Sequence, residues 1–343
     1  MPAKQSGKSV AWRLFDHIVA QAAPGGVHSN PWVEDSGGQP LFQPDYATLE
    51  QLLGVPLYLR AGTQSGVPAL ALDVWLSYEL RRAGFGPDQV WPRPTNPRVL
   101  PAAVLALVNS LPSNLKAQVM MRLEKNSSIS GVTSSSAAIL GKNYLKQVDV
   151  IMTDWATGPE LLVSTKRMDS SYGKNAPNRV EESYGDAKNL RLRHPLAALG
   201  FVFGLRSDIL QKEAKAAAWL FDLLVKLGQE DDAYHATCLV LMEYDDVDLP
   251  ADHEIEPAPD GILEPGPEPE NENEDAQVSS SLEELNEEVG KLPKVKVRLD
   301  VTPAELLPSR FLAAMVTRVI GATPVNMHVE ARKRRESVRS GKL

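Results

Sequence analysis

The sequence predicts an α/β protein in which helices flank a mixed central sheet, with an N-terminal helical region and a small C-terminal module. Three observations predict this class. Residues 147–154 and 160–168 are nearly continuous apolar runs split by a turn, which is typical of strands covered on both faces. Two later apolar runs, at 199–207 and 236–246, alternate with helical patterns. The order of two strands, a helix, a strand, a helix and a strand is typical of the α/β class.

The chain ahead of these strands reads mainly as helices. Residues 9–22 carry apolar side chains at helical spacing, whereas 23–45 are rich in Gly, Pro, Asn and Ser and predict a loop. Gly54 and Gly84 are expected to end two further helices, and Pro112 to separate two others. These helices are expected over 45–54, 70–83, 99–111 and 114–124.

The chain after the first two strands ends in an acidic stretch and a short C-terminal part. Residues 178–193 predict a helix with Asn178 as its N-cap, and 209–228 predict a longer helix. From 251 to 292 the composition becomes acidic and Pro-rich, which predicts a disordered linker, within which 281–289 could form a short acidic helix. After the linker, 294–301 could form a strand, and 303–320 predicts a helix. The predicted domains are a main domain over 1–250, with a helical part at 1–64 and a core at 65–250, the acidic linker at 251–292, and a C-terminal module with a basic tail at 293–343.

The net charge of -8 conceals two oppositely charged parts of the chain. Residues 251–292 hold 14 of the 44 acidic residues and one lysine, so the rest of the chain carries 30 acidic against 35 basic residues. A basic globular part is compatible with nucleic acid as a partner. The single cysteine, Cys238, excludes an internal disulfide and a zinc site built from paired cysteines. We find no apolar run that could span a bilayer and no signal peptide, so we expect a cytoplasmic protein with no membrane partner.

The first two strands bring three polar side chains to one face of the sheet. A turn centred on Ala156 and Thr157 places residues whose numbers sum to about 313 opposite each other, so Asp149 faces Ser164. Lys166 lies two residues further on and on the same face. Charged groups in an apolar sheet need a reason, because unpaired buried charge is expensive. That reason is either a structural Asp–Lys pair near a sheet edge or a site for chemistry.

Within "VDVIM" and "ELLVSTKRM", these residues resemble the motif of the PD-(D/E)XK nucleases, with Asp149 as the first acid and Ser164 to Lys166 as the triplet. Val148 stands where the motif has proline, and Ser164 stands where it has the second acid. The resemblance covers roughly residues 140–205 and implies a restriction-endonuclease-like fold, with Mg²⁺ as cofactor and double-stranded DNA as substrate. It implies that Asp149 binds metal, that Lys166 assists the attacking water and that Ser164 supports the site by hydrogen bonding. A type II restriction activity in defence against foreign DNA, and a homodimer, are also implied.

A second acid for this site has to come from elsewhere in the chain. Some type II restriction enzymes with a Ser-x-Lys triplet supply it from the following helix, where this chain has Glu181 and Glu182. On a helical wheel, Val180 and Tyr184 mark the expected buried side; Glu181 lies about 100° from Val180, and Glu182 about 200° away, towards solvent. We therefore expect Glu181 to complete the metal site, with Glu182 as the alternative. Both could instead be ordinary charges favoured by the N-terminus of a helix.

Three other acids are weaker candidates. Glu160 lies six residues before Lys166, roughly 20 Å along a strand, which is too far to share a metal site. Asp154 is expected to be a turn residue. Glu79 lies on the helix ahead of the strands, which in this family sometimes contributes a Glu to the metal. A surface pair between Glu79 and Arg82 is the favoured interpretation.

Basic and polar residues follow the proposed site in the sequence and suit contacts with phosphates and bases. The residues expected to contact DNA are Arg167, Lys174, Asn175, Arg179 and Lys188. A solvated basic surface is the alternative interpretation. The rival function is a non-catalytic DNA-binding or assembly protein on a decayed nuclease fold, because Ser164 leaves the site one acid short. The acidic linker or the C-terminal module could then bind a protein partner.

Overall fold

The computed structural model describes residues 7–125, 129, 132–133, 137–247 and 281–338, except for the side chains of Gln64, Lys125 and Lys174. Within these residues the α-helices are α1 (Gly7–Ala22), α2 (Tyr46–Tyr58), α3 (Val67–Arg82), α4 (Ala102–Ser110), α5 (Ser113–Lys125), α6 (Tyr172–Arg193), α7 (Ile209–Lys212), α8 (Ala214–Leu227), α9 (Leu282–Gly290), α10 (Pro308–Ala322) and α11 (Val329–Glu336). The strands are β1 (Trp32–Glu34), β2 (Pro40–Phe42), β3 (Val90–Trp91), β4 (Ala137–Leu140), β5 (Leu145–Val148), β6 (Val150–Asp154), β7 (Gly158–Met168), β8 (Ala198–Arg206), β9 (Ala236–Glu243) and β10 (Lys296–Val297). The protein is of the α/β class, as the sequence predicts.

Six strands form a mixed central sheet in the order β10-β9-β8-β7-β6-β3. Strands β7, β8 and β9 run parallel to one another, and the other neighbouring pairs are antiparallel. Parallel neighbours require a crossover connection, and α6 and then α7 with α8 provide the two crossovers. Two short antiparallel pairs, β1 with β2 and β4 with β5, form separate small sheets.

The hairpin of β6 and β7 has the predicted register along most of its length. Val150 lies opposite Val163, and Met152 lies opposite Leu161. After Met152 the pairing shifts by one residue towards the turn. Asp149 directly precedes Val150, at a bend that separates β5 from β6. Regular strand pairing is therefore interrupted at Asp149, which carries the first candidate carboxylate.

Both faces of the central sheet are covered, which confirms the interpretation of the nearly continuous apolar runs. Leu161 and Val163 of β7 pack in one core with apolar side chains of α1, α2, α3 and α10. Leu162, between them, packs in a second core with side chains of α6 and α8. This alternation follows from the two-residue period of a strand.

Two predicted helix boundaries differ from the structure, in each case because a tertiary contact decides the local conformation. Helix α2 continues past Gly54. A Cβ atom at Gly54 would lie 2.8 Å from the carbonyl oxygen of Pro293, so glycine is needed here because the backbone near Pro293 packs closely against the helix. Helix α6 begins at Tyr172 rather than at Asn178. The buried Tyr172 donates its hydroxyl to the carbonyl oxygen of Asp169 at 2.8 Å, which anchors the additional turns.

Three further expectations need correction. The helix expected over 209–228 is broken at Glu213 into α7 and α8. The expected loop at 23–45 contains the β1–β2 pair, in which Trp32 lies opposite Phe42 and both side chains are buried. The short acidic helix expected within 281–289 is present as α9, which begins with a capping box, so the disordered linker does not extend to residue 292. The predicted disorder over 251–280 lies outside the described residues.

The C-terminal residues belong to the main core and do not form a separate module. Strand β10 extends the central sheet beside β9. Helix α10 packs against β8, so closely that a Cβ atom at Gly200 would lie 2.7 Å from the ring of Phe311. Helix α11 packs against the end of α3, where a Cβ atom at Gly84 would lie 2.8 Å from the backbone of Ala331. The expected division at residue 293 is therefore wrong.

Candidate active site

Asp149 is held at its bend by the neighbouring strand. The backbone N–H of Thr165 donates to Oδ2 of Asp149 at 2.8 Å. Burial raises the pKa of the Asp149 carboxyl group, although the Thr165 N–H and the nearby ammonium groups of Lys166 and Lys146 oppose the rise. The side chain is thus fixed in orientation, and its charge is costly in the absence of a cation.

A second carboxylate that the sequence reasoning did not select lies on α3. Oγ1 of Thr165 donates to Oδ1 of Asp73 at 2.6 Å, so one threonine donates to both Asp73 and Asp149. Asp73 is only 7% exposed. Burial, and then the negative charge of Asp149, raise the pKa of Asp73 well above its ordinary value. The available signal was an isolated aspartate inside the apolar segment "VPALALDVWL".

The acid that α6 brings to this place is Glu182, so the preference for Glu181 is corrected. Nζ of Lys166 donates to Oε1 of Glu182 at 3.1 Å. Glu181, one residue earlier, is exposed to solvent. Lys166 therefore pairs with a carboxylate of the following helix, the alternative glutamate, and its ammonium group lies near enough to Asp149 to oppose the rise in that group's pKa.

The helical wheel was wrong because the buried face of α6 contains polar side chains. Ser183, Asp186 and Asn189 are buried beside Val180, whereas Tyr184 is 37% exposed. The Asn189 side chain receives backbone N–H groups of the β4–β5 connection, and the Asp186 carboxylate receives the hydroxyl of Tyr144. A helical wheel that takes only apolar residues as the buried face therefore gives the wrong rotation of α6 about its axis.

Glu182 lies among three cations. Besides Lys166, Arg179 approaches it at 3.2 Å and Lys146 at 3.9 Å. Burial alone would raise the pKa of Glu182, but these cations outweigh burial and lower it. Lys146 also contacts Asp186 at 2.8 Å, although burial keeps the pKa of Asp186 above its ordinary value.

Ser164 joins the sheet to α6. Its side chain is 6% exposed and lies near the hydroxyl group of Tyr234, where it opposes the rise that burial causes in the pKa of that tyrosine. That hydroxyl donates to the carbonyl oxygen of Ser183 at 2.8 Å. This network fixes α6 against β7, which is compatible with the supporting role expected for Ser164.

The three weaker acids are engaged elsewhere. Glu160 contacts His328 at 2.8 Å, and Asp154 receives the N–H of Ala156 in the turn at 2.8 Å, as expected of a turn residue. Glu79 pairs with Arg82 at 2.7 Å, but both are buried rather than at the surface. Helix α3, which carries Glu79, also carries Asp73, whose carboxylate receives the hydroxyl of Thr165 on the face of β7 opposite to Lys166.

The predicted DNA contacts fall into two groups. Arg167 is buried and pairs with Asp169 at 3.0 Å, on the face of β7 opposite to Lys166, so it is not available to DNA. Arg179 and Asn175 are partly exposed on α6 beside the site, and Lys188 is paired with Asp232 further along. The side chain of Lys174 lies outside the described residues.

The acids can be compared with what a magnesium ion requires. Among the described residues, no group of three or more His, Cys, Asp or Glu side chains is arranged to hold a metal. Mg²⁺, however, commonly uses one or two carboxylates and takes its other ligands from water and substrate phosphate. Asp73 and Asp149 fit that requirement, because Thr165 donates a hydrogen bond to each of them, Asp73 is buried and Asp149 partly buried, and the raised pKa of each means that its charged form would gain from a nearby cation.

No protein-family model, curated protein or solved structure matches this chain. In the described part of the chain, no helix combines the length and apolarity needed to cross a bilayer. The geometry of the site therefore carries the functional argument.

The buried Asp73 gives a testable pH dependence of folding stability. Because its pKa is raised in the folded protein, the folded state retains a proton that the unfolded chain loses above about pH 4, so stability falls as the pH rises. We expect Asp73→Asn to raise the free energy of unfolding at pH 8 by about 1 kcal/mol or more, with a gain that shrinks towards pH 4. Urea unfolding at several pH values measures this, with Asp154→Asn as the control. A gain that does not vary with pH would contradict the assignment.

Proposed function

We propose that this protein is a Mg²⁺-dependent endonuclease that cleaves double-stranded DNA, on a fold of the restriction-endonuclease type. The observation that carries the proposal is that Lys166 of β7 pairs with Glu182 of α6 near Asp149, whose carboxylate receives the N–H of Thr165, the residue before Lys166. Asp73 of α3 adds a buried carboxylate on the other face of β7, where it receives the hydroxyl of Thr165. A merely structural Asp–Lys pair would not need the additional acids.

Each residue has a chemical role in this proposal. Asp73 and Asp149 would hold the Mg²⁺ ion, which, when bound, supplies a Lewis acid for the phosphodiester. Lys166 donates hydrogen bonds to the attacking water and to phosphate oxygens, and so offsets negative charge as it develops. Glu182 holds Nζ of Lys166 at 3.1 Å and acts as a positioning residue. Thr165 fixes both metal-binding carboxylates through its N–H and its hydroxyl.

The cations around the site suit a polyanionic substrate. Lys146, Lys166 and Arg179 all lie within 4 Å of Glu182, so they form a positive cluster around one carboxylate. Phosphate contacts by such side chains supply most sequence-independent affinity for DNA. Cleavage of foreign DNA as a defence function is part of the proposal.

One observation favours a second candidate function, a non-catalytic DNA-binding protein. Glu182 is already neutralised by its three cations, and Asp73 lies across β7 from Lys166, so neither acid directly replaces the carboxylate that Ser164 lacks. The two candidates differ in one assay. Supercoiled plasmid is incubated with the purified chain in Mg²⁺, in Mn²⁺ and in a chelator, and DNA binding is measured in parallel. Metal-dependent nicking supports the endonuclease, whereas binding without nicking in either metal supports the second candidate.

A matched pair of variants tests which glutamate serves the site. We expect Glu182→Gln to lower the cleavage rate by about 10- to 100-fold, since it removes the partner that orients Lys166. Glu181→Gln, which removes the same charge one residue away at an exposed position, should change the rate by less than about twofold. Single-turnover plasmid cleavage measures both. A large loss in Glu181→Gln with little change in Glu182→Gln would reverse the assignment.

A further inference from the structure

A small cavity lies beside the start of β9, away from the candidate active site. It has a volume of about 210 Å³ and is lined by residues of the α8–β9 connection, the turn at Ala304–Leu306 and α10. His235 lines this cavity, and Leu199 of β8 fixes its ring by donating its N–H to Nδ1 at 2.9 Å. Phe203, which lies beside Lys166, is four residues further along β8, or about 13 Å from Leu199. The cavity is therefore separate from the candidate active site.

Three arginines lie at or near this cavity. Arg310 lines it, and Arg191 of α6 contacts the ring nitrogens of His235. Arg318 follows Arg310 by two helical turns on the same face of α10, and Ala314 between them lines the cavity. Burial, and then the charges of Arg191 and Arg318, lower the pKa of His235 to about 4. The imidazole ring is therefore neutral at pH 7, among positive charges.

The polar groups around His235 include more donors than acceptors. Because Nδ1 accepts the N–H of Leu199, the proton of the neutral ring belongs on Nε2. The guanidinium group of Arg191 has only donors, and it contacts this same Nε2. In addition, Nε of Arg318 is buried and has no hydrogen-bond partner among the described residues. An anion could accept hydrogen bonds from these donors, which otherwise carry the cost of unmet hydrogen bonding.

The three arginines are not neutralised by ion pairs. Within the part of the chain that the structure describes, no carboxylate oxygen lies within 4 Å of a nitrogen of Arg191, Arg310 or Arg318. Arg191 donates instead to the carbonyl oxygen of Asp231 at 3.2 Å, and Arg318 to that of Pro195 at 3.4 Å. Backbone carbonyls satisfy donors but carry no net charge, so the positive charge of this cluster remains.

The acids of this region reduce that charge without removing it. Asp231 and Asp232 act on Arg191 from beyond ion-pair distance, and Asp232 already pairs with Lys188. Glu305 lines the cavity and is exposed to solvent. The carboxylate of Glu305 therefore marks the part of the cavity where an anion is opposed.

We propose that this cavity binds the phosphate group of a small molecule, either free phosphate or a compact phosphate monoester. The planar guanidinium group of arginine matches the geometry of phosphate oxygens. Pockets for drug-sized ligands measure about 300–1,000 Å³, so a cavity of 210 Å³ admits a smaller ligand and is too small for a DNA duplex. Phe311 and Ala314 form an apolar part of the wall, which suits the organic part of a monoester. This binding does not depend on the proposed nuclease activity.

The first experiment titrates the full chain, without divalent metal, with inorganic phosphate and separately with glycerol 3-phosphate. Calorimetry measures the affinity, and NMR of the histidine side chains locates the binding. The Nε2 signal of His235, assigned by its loss in His235→Gln, reports on this cavity alone. We expect it to shift with a Kd of about 1 mM or below, and not to shift with chloride at the same ionic strength. Tighter binding of glycerol 3-phosphate would support a monoester, and equal affinities would support free phosphate. No saturable shift with either probe would overturn the proposal.

The second experiment changes the charges of the cavity in both directions. Arg310→Ala should weaken phosphate binding by about 10- to 100-fold, since it removes a charged donor. Glu305→Gln should strengthen binding by about two- to fivefold, because it removes the opposing carboxylate. Circular dichroism verifies that both variants are folded.

Two matched controls test whether the effect belongs to this cavity. Arg122→Ala removes an exposed arginine of α5, and Lys166→Met removes a cation of the candidate active site. Both should leave the titration of the His235 signal unchanged. Unchanged phosphate affinity in Arg310→Ala would overturn the proposal. Loss of duplex DNA binding in Arg310→Ala, with no binding of either phosphate probe to the natural protein, would assign these arginines to DNA and overturn it too.

Discussion

Asp149→Asn is expected to lower the rate of Mg²⁺-dependent cleavage of double-stranded DNA by about 10³-fold. A bound metal contributes several kcal/mol to stabilising the transition state, and each 1.36 kcal/mol corresponds to a factor of ten in rate. Asparagine retains an oxygen that can receive the N–H of Thr165, so the hairpin keeps its hydrogen bond while the site loses a charge. Single-turnover cleavage of plasmid at saturating Mg²⁺ measures the loss.

Asp154→Asn is the matched control for this variant. Asp154 lies on the same hairpin and also receives a backbone N–H, from Ala156 at 2.8 Å, but in the turn far from Lys166. Its substitution should leave the cleavage rate within about twofold of the natural protein. An Asp149→Asn variant that cleaves as fast as Asp154→Asn would contradict the proposed metal site.

The hairpin was predictable because local rules decide it. The turn and the apolar runs fix which residues of β6 and β7 lie opposite each other, and the pairing of Val150 with Val163 follows. The juxtaposition of Asp149 with the strand that carries Ser164 and Lys166 came from that register alone. The same alternation places Arg167 on the face opposite to Lys166, away from the site.

The contribution of α6 was only partly predictable. The sequence indicated that a helix after β7 would bring an acid, and it does so through Glu182. The choice between Glu181 and Glu182 depends on the rotation of the helix about its axis. That rotation is set by Asp186 and Asn189, which are buried and receive hydrogen bonds from Tyr144. The pattern of apolar residues gives no information about hydrogen bonds made by buried polar side chains.

Long-range contacts were the least predictable. Asp73 lies 92 residues before Thr165 in the chain, and no local pattern links the two. Similarly, the strand expected within 294–301 is present as β10, but no local pattern indicates that it pairs with β9 at the edge of the central sheet. Both features are consequences of the folded topology.

Lys166→Met should lower the cleavage rate by about 10²- to 10⁴-fold, the range that positioned acid–base groups contribute. Methionine has a similar length but cannot donate hydrogen bonds or carry charge. The Lys166 side chain is 27% exposed, so the loss of its charge should leave the fold intact. Lys215→Met, at an exposed position on α8, provides the control for charge alone.

The double variant Lys166→Met with Glu182→Gln separates two roles of the glutamate. If Glu182 acts only by orienting Lys166, removal of both should cost no more than removal of Lys166, since their effects are coupled. If Glu182 instead holds metal independently, the two losses should multiply. Single-turnover rates of the two single variants and the double variant complete the cycle. A multiplicative result would indicate that Glu182 binds the metal and that Lys166 acts only by offsetting the negative charge of the phosphate.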